Sequence, residues 1–220
     1  MAAQLDLKAV WDTPGAHYGM LLGAMGALEA CLTIPEEKQG EYIALLGHPH
    51  SLKGGTMQNK VVTTLARVFR ERGIPSLRFN FRGVGASEGE YDAGIGESDD
   101  MLLIAAQIKA LYPEKKLLFA GFSFGSFVAY RAAAQISNSL LLTIAPPVNH
   151  FDFEMFEVTP KPWILVQGDA DEVIPAELVF EFAEKRAITV LEFAETTHFF
   201  HGKLMEFKTR VLEALEDVLS

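Results

Sequence analysis

Gly121-Phe122-Ser123-Phe124-Gly125 sets a serine at the point where an apolar run, Leu117 to Phe122, gives way to a stretch of helical period. At so abrupt a strand-to-helix corner the serine must take a strained backbone conformation, and side chains two residues to either side would collide. Glycine at both flanks removes that collision. Small residues at Ser126, Ala129, Ala132 and Ala133 let the helix lie close to the strand it leaves. The chemistry a serine offers there is nucleophilic attack through its hydroxyl. A hydroxyl alone is too weak a nucleophile, so the reading requires a histidine to take its proton and a carboxylate to orient that histidine.

Both residue types occur further along the chain. Gly168-Asp169-Ala170-Asp171-Glu172 follows the apolar run Trp163 to Gln167, and Thr196-Thr197-His198-Phe199-Phe200-His201 follows the run Thr189 to Phe193. Each lies just past a strand, on the sheet edge where Ser123 must also sit. Residue chemistry leaves Asp169 and Asp171 both open as the carboxylate. His198 is the better placed base, because His201 lies one position into the start of the last helix, where a surface or capping role fits it. Negative charge developing on a carbonyl oxygen needs preorganised N–H donors, and the amide of Phe124 follows the nucleophile directly.

The elements that must hold these residues alternate along the chain. Strands are read at Tyr42 to Gly47, Ile74 to Phe81, Leu117 to Phe122, Leu140 to Ala145, Trp163 to Gln167 and Thr189 to Phe193. Each is almost continuously apolar, as strands covered on both faces should be. Helical patterns lie between them at Gln58 to Arg72, Glu97 to Leu111, Phe124 to Ile136 and Ala176 to Arg186, with a last one from about Gly202 to the end. Alternation of this kind predicts a mostly parallel sheet with helices on both faces, an α/β fold in three layers. An earlier strand, roughly Ala27 to Ile34, is expected to add to one edge. No linker, charge block or repeat divides residues 1–220, so a single domain is expected.

Composition removes several classes of function. With 19 basic against 29 acidic side chains, net charge −10, and no basic cluster, the chain repels a phosphate backbone or an anionic membrane surface, so no nucleic-acid or membrane partner is expected. The one cysteine, Cys31, forms no internal disulfide and suits a reducing compartment. Gly19 to Ile34 is apolar apart from Glu29 but shorter than the roughly 18 residues of a spanning helix, and Asp6 and Asp12 stand where a signal peptide would be basic. A cytoplasmic protein with an edge strand or hairpin there is the expectation. Gly83-Val84-Gly85-Ala86-Ser87-Glu88-Gly89 lacks the spacing of a dinucleotide-binding turn, and no P-loop is present, so no cofactor is expected. His48, His50, His198 and His201 are candidates for a metal site, but that scheme leaves the glycine-flanked serine unexplained, and no metal is expected.

The chain resembles the α/β-hydrolase superfamily, and within it a small lidless bacterial subgroup. The segments that carry the resemblance are His48-Pro49-His50-Ser51-Leu52-Lys53-Gly54-Gly55-Thr56-Met57-Gln58-Asn59-Lys60, Arg78-Phe79-Asn80-Phe81-Arg82-Gly83-Val84-Gly85, the Gly121–Gly125 corner, Gly168-Asp169-Ala170-Asp171 and His198-Phe199-Phe200-His201-Gly202. It implies Ser123 as nucleophile, His198 as general base and Asp171, instead of Asp169, as the orienting acid. Because His48-Pro49-His50 occupies the place of the superfamily's usual His-Gly-x segment, it also implies the His50 amide, with that of Ser51 behind it, as the second oxyanion donor beside that of Phe124. Pro49 has no N–H to offer. The subgroup more often has proline where Ser51 stands.

The activity expected is a carboxylesterase-like hydrolysis of small soluble acyl esters or thioesters through an acyl-enzyme. The alternatives are a non-catalytic module on the same fold and a hydrolase of short peptides or amides, although no cationic or acidic subsite is identified to anchor a peptide terminus. Too few residues separate Ala145 from Trp163 for a helical lid, so the site should be shallow. Phe122, Phe124, Phe151, Phe153, Phe156, Phe199 and Phe200 are candidates for its wall. The residues leave oligomeric state open.

Overall fold

The protein's computed structural model describes residues 3–156 and 160–219. Its eight strands form one sheet: β1 Gly15–Gly23, β2 Gly26–Ile34, β3 Tyr42–Gly47, β4 Ser76–Phe79, β5 Lys116–Phe122, β6 Leu140–Ile144, β7 Trp163–Gly168 and β8 Val190–Phe193. Their order across the sheet is β1-β2-β4-β3-β5-β6-β7-β8. The pairs β1–β2 and β2–β4 are antiparallel and the others parallel. The α-helices are α1 Lys60–Glu71, α2 Ile95–Leu111, α3 Phe124–Ala133, α4 Ala176–Lys185 and α5 Leu204–Leu219.

Alternation along each buried strand divides the core in two. On β5, Leu117 and Phe119 face a cluster shared with α2, α3 and α4, whereas Leu118, Ala120 and Phe122 face one shared with α1 and α5. Three layers result, as the run of elements predicts. Helix α1 shows how local chemistry sets an element. The Asn59 Oδ1 accepts from the Val61 amide at 2.9 Å, Val61, Leu65, Val68 and Phe69 make the buried face, and Gly73 ends the helix at φ 73.

Two expectations need correction at the N-terminal side. The hairpin expected over Gly19 to Ile34 is present as β1 and β2, but the strand expected at one edge, Ala27 to Ile34, is β2 and interior. The edge is β1, turned back on it from Gly23 to Gly26. Strand β1 escaped because residues such as Ala16, Tyr18 and Leu22 are exposed, which dilutes any apolar signal. The strand read as Ile74 to Phe81 narrows to Ser76–Phe79, because past it Asn80 turns its side chain to Met57 and Glu29.

After β3 the chain crosses by α1 to β4 on one side, and after β4 it crosses by α2 to β5 on the other. That reversal opens a crevice beyond the carboxyl ends of β3 and β5, where the loops carrying His50 and Ser123 meet. The connection from β6 to β7 holds no helix among its described residues. No described helix is long and apolar enough to cross a membrane.

Candidate active site

Ser123 is the residue between β5 and α3, with φ 53 and ψ −122, a region non-glycine residues rarely occupy. The surrounding strands impose it. The Ser123 amide donates to the Ile144 carbonyl at 2.8 Å, and the Ser126 amide donates to the Ser123 carbonyl at 2.8 Å. Below, the Ser126 hydroxyl donates to the Gly121 carbonyl at 2.7 Å and accepts from the Ile144 amide at 3.1 Å.

Close backbone approach explains the flanking glycines. A Cβ on Gly121 would stand 2.0 Å from the Gly125 carbonyl oxygen, and one on Gly125 would stand 2.4 Å from Gly47, which pairs with Gly121 across β3 and β5. Backbone cannot move aside as a side chain can. Gly121→Ala or Gly125→Ala is therefore expected to cost about 3 kcal/mol of stability or more, read as a lower urea midpoint. A midpoint unchanged in both variants would contradict this packing.

The structure brings His198 and Asp171 to the serine. The His198 Nε2 lies 3.1 Å from the Ser123 Oγ, and its Nδ1 lies 2.8 Å from the Asp171 Oδ2. The other carboxylate oxygen of Asp171 accepts from the amides of Val173 at 2.8 Å and Ile174 at 2.7 Å, and the Gln167 Nε2 donates to Oδ2 at 3.2 Å. Burial pushes the Asp171 carboxyl up, but hydrogen bonds from His198, Ile174 and Val173 outweigh it and hold the group below its ordinary 3.8. An ionised Asp171 takes the hydrogen bond from Nδ1–H, which leaves the Nε2 lone pair facing the hydroxyl. Asp169 goes elsewhere: it is exposed and accepts from the Thr196 amide at 3.3 Å, the turn-holding role open to it. His201 is exposed.

Two contributors escaped the sequence reading. Glu172 accepts from the His198 amide at 3.1 Å, fixing the backbone of the loop that carries the imidazole. Its only signal was its place next to Asp171. His48, fully buried, accepts from the Phe81 amide at 2.9 Å through Nε2 and donates from Nδ1 to the Pro49 carbonyl at 2.7 Å, tying this loop to the end of the sheet. Burial lowers its pKa from 6.5 to about 4, against the opposing hydrogen bond to Pro49.

The unfolded chain thus protonates His48 first. The stability from a neutral His48 is complete above about pH 6.5 and lost as pH falls toward 4, a total of about 3 kcal/mol. Urea unfolding of wild type and His48→Gln between about pH 7 and about pH 4.5 should show the steeper loss in wild type. Parallel losses would remove His48 as the cause.

His50 accepts from the Leu52 amide at 3.3 Å through Nδ1, so its Nε2–H donates to the Tyr91 hydroxyl at 3.2 Å. Its ring packs 5.0 Å from Phe124 and 5.1 Å from Tyr91. The His50 carbonyl accepts from the amides of Lys53 and Gly55, closing a tight turn that a Cβ on Gly55 would block at 2.0 Å from the Pro49 oxygen. Among the described residues the amides of His50 and Phe124 have no protein acceptor.

A cavity of about 570 Å³ opens over these groups, and Ser123, His198, His50 and Phe124 all line it. Of the seven phenylalanines expected at the wall, Phe124, Phe151 and Phe199 reach it. Phe122 lies beneath, 5.0 Å from the His198 ring. Phe153 and Phe156 pack on Tyr130, and Phe200 packs in the opposite core layer with Phe193 and Phe207. Position near a loop does not reveal which face a ring takes. Among the described residues, no group of three or more His, Cys, Asp or Glu side chains is placed to hold a metal ion.

No model of a protein family matches the chain. Among solved structures it is similar to a Xanthomonas campestris α/β serine hydrolase without a lid, at 38% identity over 93% of this chain and 95% of that one, with a TM-score of 0.89. An α/β serine hydrolase homologue from Coxiella burnetii is 37% identical over 90% of this chain and 97% of that one, with a TM-score of 0.86. An uncharacterized protein of Rickettsia prowazekii is 33% identical over 81% of this chain and 80% of its own length. Likeness of this extent, over a sheet whose switch point presents a strained serine at a glycine-lined corner, identifies the family: the chain belongs to the α/β serine hydrolases.

Proposed function

We propose that the protein is a carboxylesterase-like serine hydrolase that cleaves small acyl esters or thioesters through Ser123, His198 and Asp171. One observation supports this above the rest: a single imidazole stands within proton-transfer reach of the Ser123 hydroxyl on one side and of an ionised carboxylate on the other. Nothing in mere binding requires all three at once, which disfavours the non-catalytic alternative. The Ser123 Oγ attacks the carbonyl carbon as its proton passes to the His198 Nε2. Asp171 stabilises the resulting imidazolium, and the amides of Phe124 and His50 receive the developing oxyanion. The imidazolium returns its proton to the leaving alkoxide or thiolate. Water, giving its proton to the same imidazole, then attacks the acyl carbon; the acyl–Oγ bond breaks as that proton returns to Oγ, releasing the carboxylate and regenerating the serine.

The open cavity and the absence of a helix among the described residues joining β6 to β7 favour short acyl chains, and with them the subgroup reading of the His48–Lys60 loop. We read the whole chain as one hydrolase domain acting without a cofactor. A panel of 4-nitrophenyl esters of rising acyl length, run beside peptide amides, tests the class. Turnover should be greatest on short esters. Turnover confined to the amides would replace the esterase reading with the peptidase one, and no turnover on either would end both.

A further inference from the structure

The chain carries 29 acidic side chains against 19 basic ones, yet among the described residues no Asp or Glu lines the cavity over Ser123. Its ionisable lining is Lys53, His50, His150 and His198. Of the acids next to lining segments, Asp171 is bound to the His198 ring, Glu172 to the His198 amide and Asp152 to the Glu154 amide, and none of the three is part of the lining. Lys53, exposed at the end of the turn Ser51–Lys53, meets no carboxylate among the described residues. Lys53 and His150 lie near enough to His50 to hold its imidazole, with burial as the larger cause, below the ordinary value. Asn59 commits its Oδ1 to the Val61 amide, which leaves its NH₂ as a donor in the same lining. Helices α1 and α3 both begin at the cavity, and neither has an acidic residue in its first turn. The rest of the lining is largely apolar: Phe124, Pro147, Phe151, Val173, Ile174 and Phe199.

A cavity lined by the Lys53 ammonium and by no described carboxylate, inside a protein of net negative charge, attracts anionic ligands. We infer that the preferred substrates are esters or thioesters bearing an anionic group, a carboxylate or a phosphate, that Lys53 and Asn59 receive while the apolar portion lies against Phe151 and Phe199. This rests on the serine-hydrolase reading above and supplies the cationic subsite that the sequence alone did not identify.

The test uses two matched ester pairs. Mono-4-nitrophenyl adipate against its methyl ester places the anion on the acyl side, and 4-acetoxybenzoate against its methyl ester places it on the leaving group. Wild type is expected to favour the anionic member of at least one pair by about 10-fold in kcat/KM, Lys53→Gln to reduce that preference to about 2-fold, and Lys53→Glu to invert it. The ratio within each pair cancels any disturbance of the catalytic centre common to both members. If in neither pair a preference for the anion falls on substitution of Lys53, the proposal is overturned. Ser123→Ala on the same esters separates the two failures. Retained turnover removes the serine reading itself, whereas lost turnover with a ratio indifferent to Lys53 removes only the anionic subsite.

Discussion

Ser123→Ala is expected to lower kcat on a short 4-nitrophenyl ester by at least about 10³-fold while KM changes little. The substitution deletes the attacking oxygen and nothing else that substrate touches. The Phe124 and His50 amides, the imidazole and the apolar wall all stay, so ground-state binding persists. The fold should persist as well, because the serine side chain makes no capping hydrogen bond to α3 and its positive φ is held by backbone contacts to Ile144 and Ser126. Equal urea midpoints with a collapse in kcat would assign the loss to chemistry. Full turnover by the variant would place the nucleophile elsewhere.

Asp171→Asn should be the more damaging of the conservative changes, lowering kcat by about 10⁴-fold. An amide in place of the carboxylate still offers one oxygen, enough for the Val173 and Ile174 amides, so the loop keeps its shape. At the other position an NH₂ faces the His198 Nδ1. That reverses the donor and acceptor, moves the imidazole proton to Nε2, and presents the Ser123 hydroxyl with an N–H where it needs a lone pair. The NH₂ also confronts the Gln167 Nε2, 3.2 Å from the native oxygen, which adds a modest cost in stability. Asp169→Asn supplies the comparison, since among the described residues its side chain holds only the Thr196 amide, and it should keep kcat within about 3-fold. If the two variants lost activity equally, the assignment of Asp171 would fail.

What could be read from the residues follows the strength of the constraint on each. Parallel strands covered on both faces must be apolar throughout, so β3, β5, β6 and β7 showed themselves as continuous runs, and the loops past their ends followed from chain order. The Gly121–Gly125 corner was legible because backbone crowding leaves no residue but glycine at either flank. Strand β1 was not, since an edge covered on one side obeys a weaker pattern. The same limit applies to Phe200, whose burial among Phe193 and Phe207 depends on the sense in which the final loop turns. Glu172 does its work through one backbone hydrogen bond and His48 through two, which no residue spacing records. The cavity lining joins Lys53 to His150, residues far apart in the chain that only the folded crevice brings together.

A fluorophosphonate reagent, followed by mass spectrometry of the digested protein, bears most directly on the proposed chemistry. Folded wild-type protein should gain one adduct per chain, on the peptide carrying Ser123, and His198→Ala should slow that reaction by roughly the 10³-fold or more expected for loss of a base from a unit of this kind. An adduct on a different residue, or a folded protein that stays unlabelled, would contradict the assignment of Ser123 as an activated nucleophile.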